Sequence, residues 1–261
     1  MSIDVAAGAV VCAAFFARIF QIQLRPYGLA SLGISVWIIY SVDHLLDAHK
    51  LKRKASTKRH LFHQENFLPI CIGVILAGLI DVVMILNIRI QIFVWGAGLI
   101  FIILLYLLFH HSLGHFKELM GAVLYSFGVL LPVLSLHGTP ISTTLIFLVI
   151  AFILTALINL ILFSWFDWQH DLKDTHISLV TFFGRHNTKI LLSYLFIFQG
   201  VLLVGLLLIT PYRSEAFIFI AMNFVLWLLF YFPNWFVKEE YYRLVGDVIF
   251  LFPLLYLFSN D

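Results

Sequence analysis

Residues 156–174 read ALINLILFSWFDWQHDLKD. The first eleven hold only Asn159 and Ser164 as polar side chains; the last eight hold Asp167, Asp171, Lys173 and Asp174. On a helix, residues i and i+4 stand one above the other on a shared face. Asp167 and Asp171 therefore project together, with Asn159 and Phe163 on the same stripe deeper in the apolar part. Residues 35–50, SVWIIYSVDHLLDAHK, repeat the arrangement: Asp43 and Asp47 are four apart, and Tyr40 lies one turn before them. Five of the nine aspartates in the chain fall in these two clusters. A lipid-soluble protein has little reason to gather carboxylates at helix ends unless they hold a cation.

The 261 residues are 62% hydrophobic and 11% charged, with a mean hydropathy of +1.01. Soluble domains are about 45–50% apolar and about 25% charged. This is the composition of an all-α, polytopic membrane protein forming a single domain over residues 1–261, with no sizeable soluble part. The opening stretch MSIDVAAGAVVCAAFFARIFQIQL lacks a basic leader and carries Asp4, so it reads as a first span and not as a signal peptide. Cys12 and Cys71 lie alone in apolar runs, which argues against disulfide or thiolate-metal frameworks. No phosphate-binding glycine loop, HExxH or GxSxG stretch is present, and nothing calls for a nucleic-acid partner.

A helical span needs about 20 mainly apolar residues. Reading between polar breaks predicts nine transmembrane helices, at 3–22, 27–46, 67–87, 91–109, 118–136, 143–166, 188–209, 215–233 and 241–258. Lysine and arginine set the orientation. The loops after spans 2, 4, 6 and 8 hold Lys50, Lys52, Arg53, Lys54, Lys58, Arg59, Lys117, Lys173, Arg185, Lys189, Lys238 and Arg243, whereas the opposite loops hold only Arg25, Arg89 and Arg213. The N-terminus and the Asp-rich loops are thus expected in the cytoplasm and the C-terminus outside, in a bacterial inner membrane. The aspartates played no part in that count, yet both clusters fall on the cytoplasmic side.

Ionised aspartate near a span is costly and usually faces a cavity or a partner. Carboxylates meeting in one cavity repel one another, and a divalent cation relieves the repulsion. Oxygen-only ligands suit Mg²⁺, which is often held by one or two carboxylates plus substrate phosphates. Lys173 within the second cluster, and Lys50, Lys58 and Arg59 after the first, are residue types that bind phosphate. A carboxylate–metal–diphosphate bridge over an apolar, aromatic-rich cavity points to a substrate with a diphosphate head and a hydrocarbon tail.

On these residues the chain resembles the UbiA-type intramembrane prenyltransferases. That family has nine helices, one Asp-rich motif after helix 2 and a second after helix 6. The second motif often reads D-x-x-x-D-R-K-x-G-x-x-T-L with a glycine shortly after; here residues 167–184 read DWQHDLKDTHISLVTFFG. Asp167 and Asp171 fall on the family aspartates, Lys173 on the basic position, Ser178 and Leu179 on the Thr-Leu pair, and Gly184 on the glycine. Thr175 stands where the family often has glycine, and Asp174 is an additional acid. The first motif, N-D-x-x-D-x-x-x-D, is matched only at Asp43 and Asp47, because Ile39 and Tyr40 occupy the Asn-Asp positions. Arg59, in KRHLF, resembles an arginine further along the same loop.

The resemblance implies a UbiA-like bundle with a cytoplasm-facing cavity. It implies Mg²⁺-dependent transfer of a prenyl group from a prenyl diphosphate to a lipophilic acceptor, such as an aromatic ring or another lipid. Asp43, Asp47, Asp167 and Asp171 would hold the metal and, with Lys173, form the catalytic set. Arg59, Tyr40, Asn159 and Asp174 would bind substrate, and Tyr40, Phe163 or Phe166 would face an allylic cation at about 0.5–2 kcal/mol per contact.

Two other readings stay open. The missing Asn-Asp half fits a catalytically degenerate relative that binds lipid or a partner. Eleven histidines, among them His44, His49, His60 and His63 near the first motif, His110, His111 and His115 after span 4, and His170 and His176 near the second motif, leave a histidine-ligated iron membrane oxygenase as a further alternative. The HxxHH boxes of such enzymes are absent. Within the spans, Arg18 and Asp81 are expected to pair as a salt bridge, and Asp247 to line the cavity.

Overall fold

The computed structural model describes residues 2–50, 58–174 and 177–259, without the side chains of residues 50, 58–60, 109–113 and 115. The described residues form helices and no strand. In chain order these are α1 (Ile3–Ile19), α2 (Pro26–Lys50), α3 (Lys58–Glu65), α4 (Phe67–Ile85), α5 (Ile90–Leu113), α6 (Lys117–Leu134), α7 (Thr143–Asp174), α8 (Leu179–Phe183), α9 (Arg185–Ile209), α10 (Arg213–Tyr231), α11 (Pro233–Phe236), α12 (Tyr241–Val248) and α13 (Pro253–Phe258).

Eight segments are long and apolar enough to cross a membrane: α2, α4, α5, α6, α7, α9, α10 and the stretch Lys238–Phe258 that contains α12 and α13. The ninth expected span is α1, which at 17 residues is shorter than these. Its composition explains its place. Ala6, Gly8, Ala9, Cys12, Ala13 and Ala17 are buried, and small residues let helix backbones approach closely in a membrane, where packing rather than the hydrophobic effect holds helices together. A Cβ on Gly8 would stand 2.8 Å from Cβ of Phe250, so α1 lies directly against the 3₁₀ turn Ile249–Leu251. It also packs on α2, α6, α12 and α13.

The second axis of the bundle is α7, which contacts α6, α8, α9, α10 and α12. Behind the α6–α7 face, Phe15, Phe16, Phe152, Phe219 and Phe250 form an edge-to-face aromatic core. A buried polar cluster ties α7 to α9 and α10: Gln199 Nε2 donates to Ala151 O (2.9 Å) and Thr155 Oγ1 (3.1 Å), and Asn223 Nδ2 donates to Thr155 Oγ1 (3.0 Å). At the periphery, α4 packs on α2 and α5 on α6, and their remaining apolar faces are exposed to the surroundings, as lipid-facing helices require.

Three expectations change. The sixth span is not over at residue 166: α7 runs unbroken for 32 residues, about 48 Å at 1.5 Å per residue, against a hydrocarbon core of about 30 Å. Its acids are therefore on the helix itself and not in a loop that follows it. The last span is interrupted instead of continuous. Pro253 has no N–H to donate, and the chain passes through the 3₁₀ turn before α13 starts. Arg18 and Asp81 do not pair. Arg18 donates to the carbonyls of Tyr256 (3.0 Å), Leu257 (3.1 Å) and Ser259 (3.1 Å), so it caps the C-terminal end of α13, while Asp81 accepts from Ser35 Oγ at 2.8 Å and ties α4 to α2.

Candidate active site

At one end of the bundle the C-terminal parts of α2 and α7 and the N-terminal parts of α6 and α12 surround a cavity of about 620 Å³. The first motif brings Tyr40, Asp43, His44 and Asp47 to its wall, and the second brings Asn159, Phe163, Asp167, Asp171 and Asp174. The i, i+3, i+4 spacing that placed these residues on one helix face is thus the spacing that faces them inward. Glu118 from α6 and Asp247 from α12 bring the carboxylates among the described residues to seven, and of the described lining residues only Lys117 and Arg243 carry a lysine or arginine charge. Deeper in, Val36, Ile39, Ile103, Leu107, Leu124, Leu160 and Phe250 make the wall apolar, with Tyr106 and Tyr125 among them.

The acids are not equivalent. Asp167 is 6% exposed; its Oδ1 accepts from the Tyr242 hydroxyl and its Oδ2 from Nη2 of Arg243. Tyr242 is held in turn by stacking on Phe166, with centroids 4.4 Å apart and planes 12° from parallel. The Arg243 guanidinium lies 5.8 Å from the Phe163 ring and has Glu240 behind it at 3.8 Å. Close approach of α12 makes this possible: a Cβ on Gly246 would meet Asn159 Oδ1 at 2.4 Å and Phe163 Cε1 at 2.5 Å. Glu118 has a structural duty. It accepts from Ser164 Oγ (2.6 Å) and from the Leu179 amide (3.1 Å), which fixes the start of α6 to α7 and to the first turn of α8. There Ser178 and Thr181 cap α8 reciprocally.

Asn159 is 3% exposed, and its Oδ1 has no hydrogen-bond partner among the described residues. A buried amide oxygen left unpaired costs about 1–3 kcal/mol, so its place on the cavity wall marks it for a ligand. His44 and His63 are both buried, with rings 5.0 Å apart beside the first aspartate pair.

Of the residues singled out in the sequence, Tyr40, Asp43, Asp47, Asn159, Asp167, Asp171 and Asp174 come together on this wall, and Asp247 joins them as expected. Lys173 does not: it is exposed and off the wall. It lies two residues past Asp171, and positions i and i+2 point to different sides of a helix. The Arg59 side chain, the loop residues Lys52, Arg53 and Lys54, and Thr175 and His176 lie outside the described residues. The sequence reading missed Lys117, Glu118, Tyr242 and Arg243 as site residues.

The donors on the wall are mainly carboxylate oxygens, with His44 among them, and hard oxygen ligands suit Mg²⁺. Among the described residues no three His, Cys, Asp or Glu side chains are grouped as a ready-made metal cage.

No protein-family model matches the chain, and no curated protein matches its sequence significantly. Solved structures do match. A UbiA homolog from Archaeoglobus fulgidus bound to DMAPP and Mg²⁺ superposes with a TM-score of 0.61 at 14% identity, covering 97% of both chains. The same description with GPP and Mg²⁺ gives a TM-score of 0.64 at 14% identity, covering 97% of this chain and 98% of that one. A digeranylgeranylglyceryl phosphate synthase gives 0.54 at 13% identity, covering 97% and 92%. The protein has the fold of the UbiA-type intramembrane prenyltransferases.

Proposed function

We propose that this protein is a divergent intramembrane prenyltransferase that takes a prenyl diphosphate with Mg²⁺ and passes the prenyl group to a lipophilic acceptor. The observation that carries the reading is the meeting of both aspartate pairs on one cavity whose inner wall is apolar and aromatic. The fold matches, in which UbiA homologs are bound to DMAPP or GPP with Mg²⁺, support it.

In this reading Asp43, Asp47, Asp167 and Asp171 hold Mg²⁺ together with the diphosphate oxygens. Bound there, Mg²⁺ supplies Lewis-acid stabilisation of the leaving diphosphate. Lys117 and Arg243, the cations on the wall, take the remaining diphosphate charge through charge-assisted hydrogen bonds. Arg59 is left a supporting role from the start of α3, and Lys173 one in the electrostatics of the mouth. The hydrocarbon tail lies along Val36, Ile103, Leu124, Leu160 and Phe250. The rings of Tyr40 and Phe163 face the carbon that loses the diphosphate, where each cation–π contact contributes about 0.5–2 kcal/mol. Asn159 and Asp174 orient the substrate by hydrogen bonding. The apolar wall excludes water, so the acceptor and not water captures the carbon.

The test is consumption of radiolabelled geranyl diphosphate by purified protein in lipid nanodiscs, with Mg²⁺ and a membrane lipid extract as acceptor source. Mg²⁺-stimulated diphosphate release and a labelled lipid, both lost in Asp171→Ala, are expected. No Mg²⁺-stimulated release with prenyl diphosphates of several lengths overturns the reading. Two observations favour a second, non-catalytic reading: Asp167 is already paired with Arg243, and Tyr40 stands where the family places an acid. A lipid-binding relative of that kind would bind prenyl diphosphate and Mg²⁺ without turning it over.

A further inference from the structure

Asp167 and Arg243 are 76 residues apart in sequence, and their pairing closes the second motif from α12, which packs against α7. Both oxygens of Asp167 are engaged, one by the Tyr242 hydroxyl and one by the guanidinium. A divalent cation bonds a carboxylate oxygen at about 2.0–2.1 Å. A cation seated on Oδ2 would stand about 4 Å from the guanidinium nitrogen already bonded there, and at that distance two positive charges repel, so metal and arginine compete for this carboxylate. Arg243 has somewhere else to go. It lines the cavity, its side chain is 18% exposed, and its planar fork matches phosphate as well as carboxylate. Glu240, at 3.8 Å, and the Phe163 and Tyr242 rings, at 5.8 and 5.6 Å, steady the guanidinium from its other sides. Tyr242 carries no charge and can keep its bond to Oδ1 when the arginine leaves.

We propose that Arg243 is a built-in counter-cation for the second motif, held on Asp167 until a diphosphate draws it off and opens that carboxylate to the metal. Diphosphate therefore enters before or together with the metal, and the metal does not load alone. This rests on the prenyl diphosphate reading above and adds an order of binding and a second duty for Arg243, first as a plug and then as a diphosphate ligand.

The test uses Mn²⁺ in place of Mg²⁺, read as protein-bound Mn²⁺ by electron paramagnetic resonance on the purified full chain, with and without inorganic pyrophosphate. Pyrophosphate is expected to tighten Mn²⁺ binding to the wild type at least tenfold. Arg243→Gln is expected to bind Mn²⁺ at least tenfold more tightly than the wild type when no pyrophosphate is present. The double variant Arg243→Gln with Asp167→Asn should lose that gain, which ties it to this oxygen pair. An unchanged Mn²⁺ affinity in Arg243→Gln overturns the proposal. Should Arg243→Gln fail to give monodisperse protein, Arg243→Lys decides. It keeps the charge but loses the fork, a gain of at least threefold is expected, and no gain overturns the proposal equally. A wild type that binds no Mn²⁺ even with pyrophosphate overturns the prenyl diphosphate reading. The variant comparison, made without pyrophosphate, still decides the competition.

Discussion

The aspartate pairs of α2 and α7 share a spacing and a cavity, yet they are held differently. Asp43 and Asp47 are half-buried on a helix that continues toward a strongly basic loop. On α7, Asp167 is buried and enclosed by Tyr242 and Arg243, while Asp171, one turn on, is half-buried. Identical spacing thus produces two half-buried acids on one side, and one half-buried acid and one buried, enclosed acid on the other. The i, i+4 pattern fixes the direction in which a carboxylate points; what it then meets is set by a helix far away in sequence. In the proposed function the difference has a consequence for Asp167 alone: it takes a cation only once Arg243 has exchanged it for diphosphate.

Five variants break or sharpen this comparison. Asp43→Asn and Asp171→Asn remove one half-buried acid from each side. Each is expected to lower Mg²⁺-dependent kcat for geranyl diphosphate by about 100–1000-fold, the size seen when one preorganised electrostatic contact is lost. A loss confined to Asp171→Asn would mean that the α2 pair is a remnant with no share in the site. Lys117→Met leaves both pairs intact and removes a cation from the wall. A charge-assisted bond of about 1.5–3 kcal/mol translates to a KM increase of about 10–100-fold, measured with geranyl diphosphate at saturating Mg²⁺. Gly246→Ala wedges α12 away from Asn159 and Phe163 and should destabilise the fold by about 1–3 kcal/mol, read as a lower unfolding midpoint in detergent. Because it loosens the guard on Asp167 alone, the α2 pair should be unaffected. Lys173→Met is expected to change turnover by no more than about twofold, as for an exposed position away from the site. A large loss there would place the motif lysine in the diphosphate site after all.

Much of this molecule is readable in its sequence, for physical reasons. A chain in lipid must satisfy its backbone within helices, so long apolar runs translate directly into spans, and the helical period carries Tyr40, Asp43 and Asp47, or Asn159, Asp167, Asp171 and Asp174, to one face. The boundaries were harder. Asp167 and Asp171 look like a helix end by hydropathy, but α7 continues through them because its charged face turns to the cavity and not to lipid. Lys117 and Arg243 were read as topology-setting charges, an explanation sufficient in itself, which concealed their place on the cavity wall. Nothing local marks Arg243 as the partner of Asp167, since that contact depends on Gly246 allowing α12 to approach α7. Arg18 and Asp81 were expected to seek each other, because charges in a membrane need partners. Instead, backbone carbonyls at the end of α13 take up Arg18, and the Ser35 hydroxyl engages one oxygen of Asp81.

The central claim is that acids from α2 and α7 hold one metal–diphosphate unit between them. The most direct measurement is equilibrium binding of Mn²⁺ in the presence of unreactive geranyl thiolodiphosphate to the wild type, Asp43→Asn and Asp171→Asn. Saturable binding to the wild type, weakened by about 10–100-fold or more in both variants, is the result this account predicts. Wild-type affinity in either variant would contradict it.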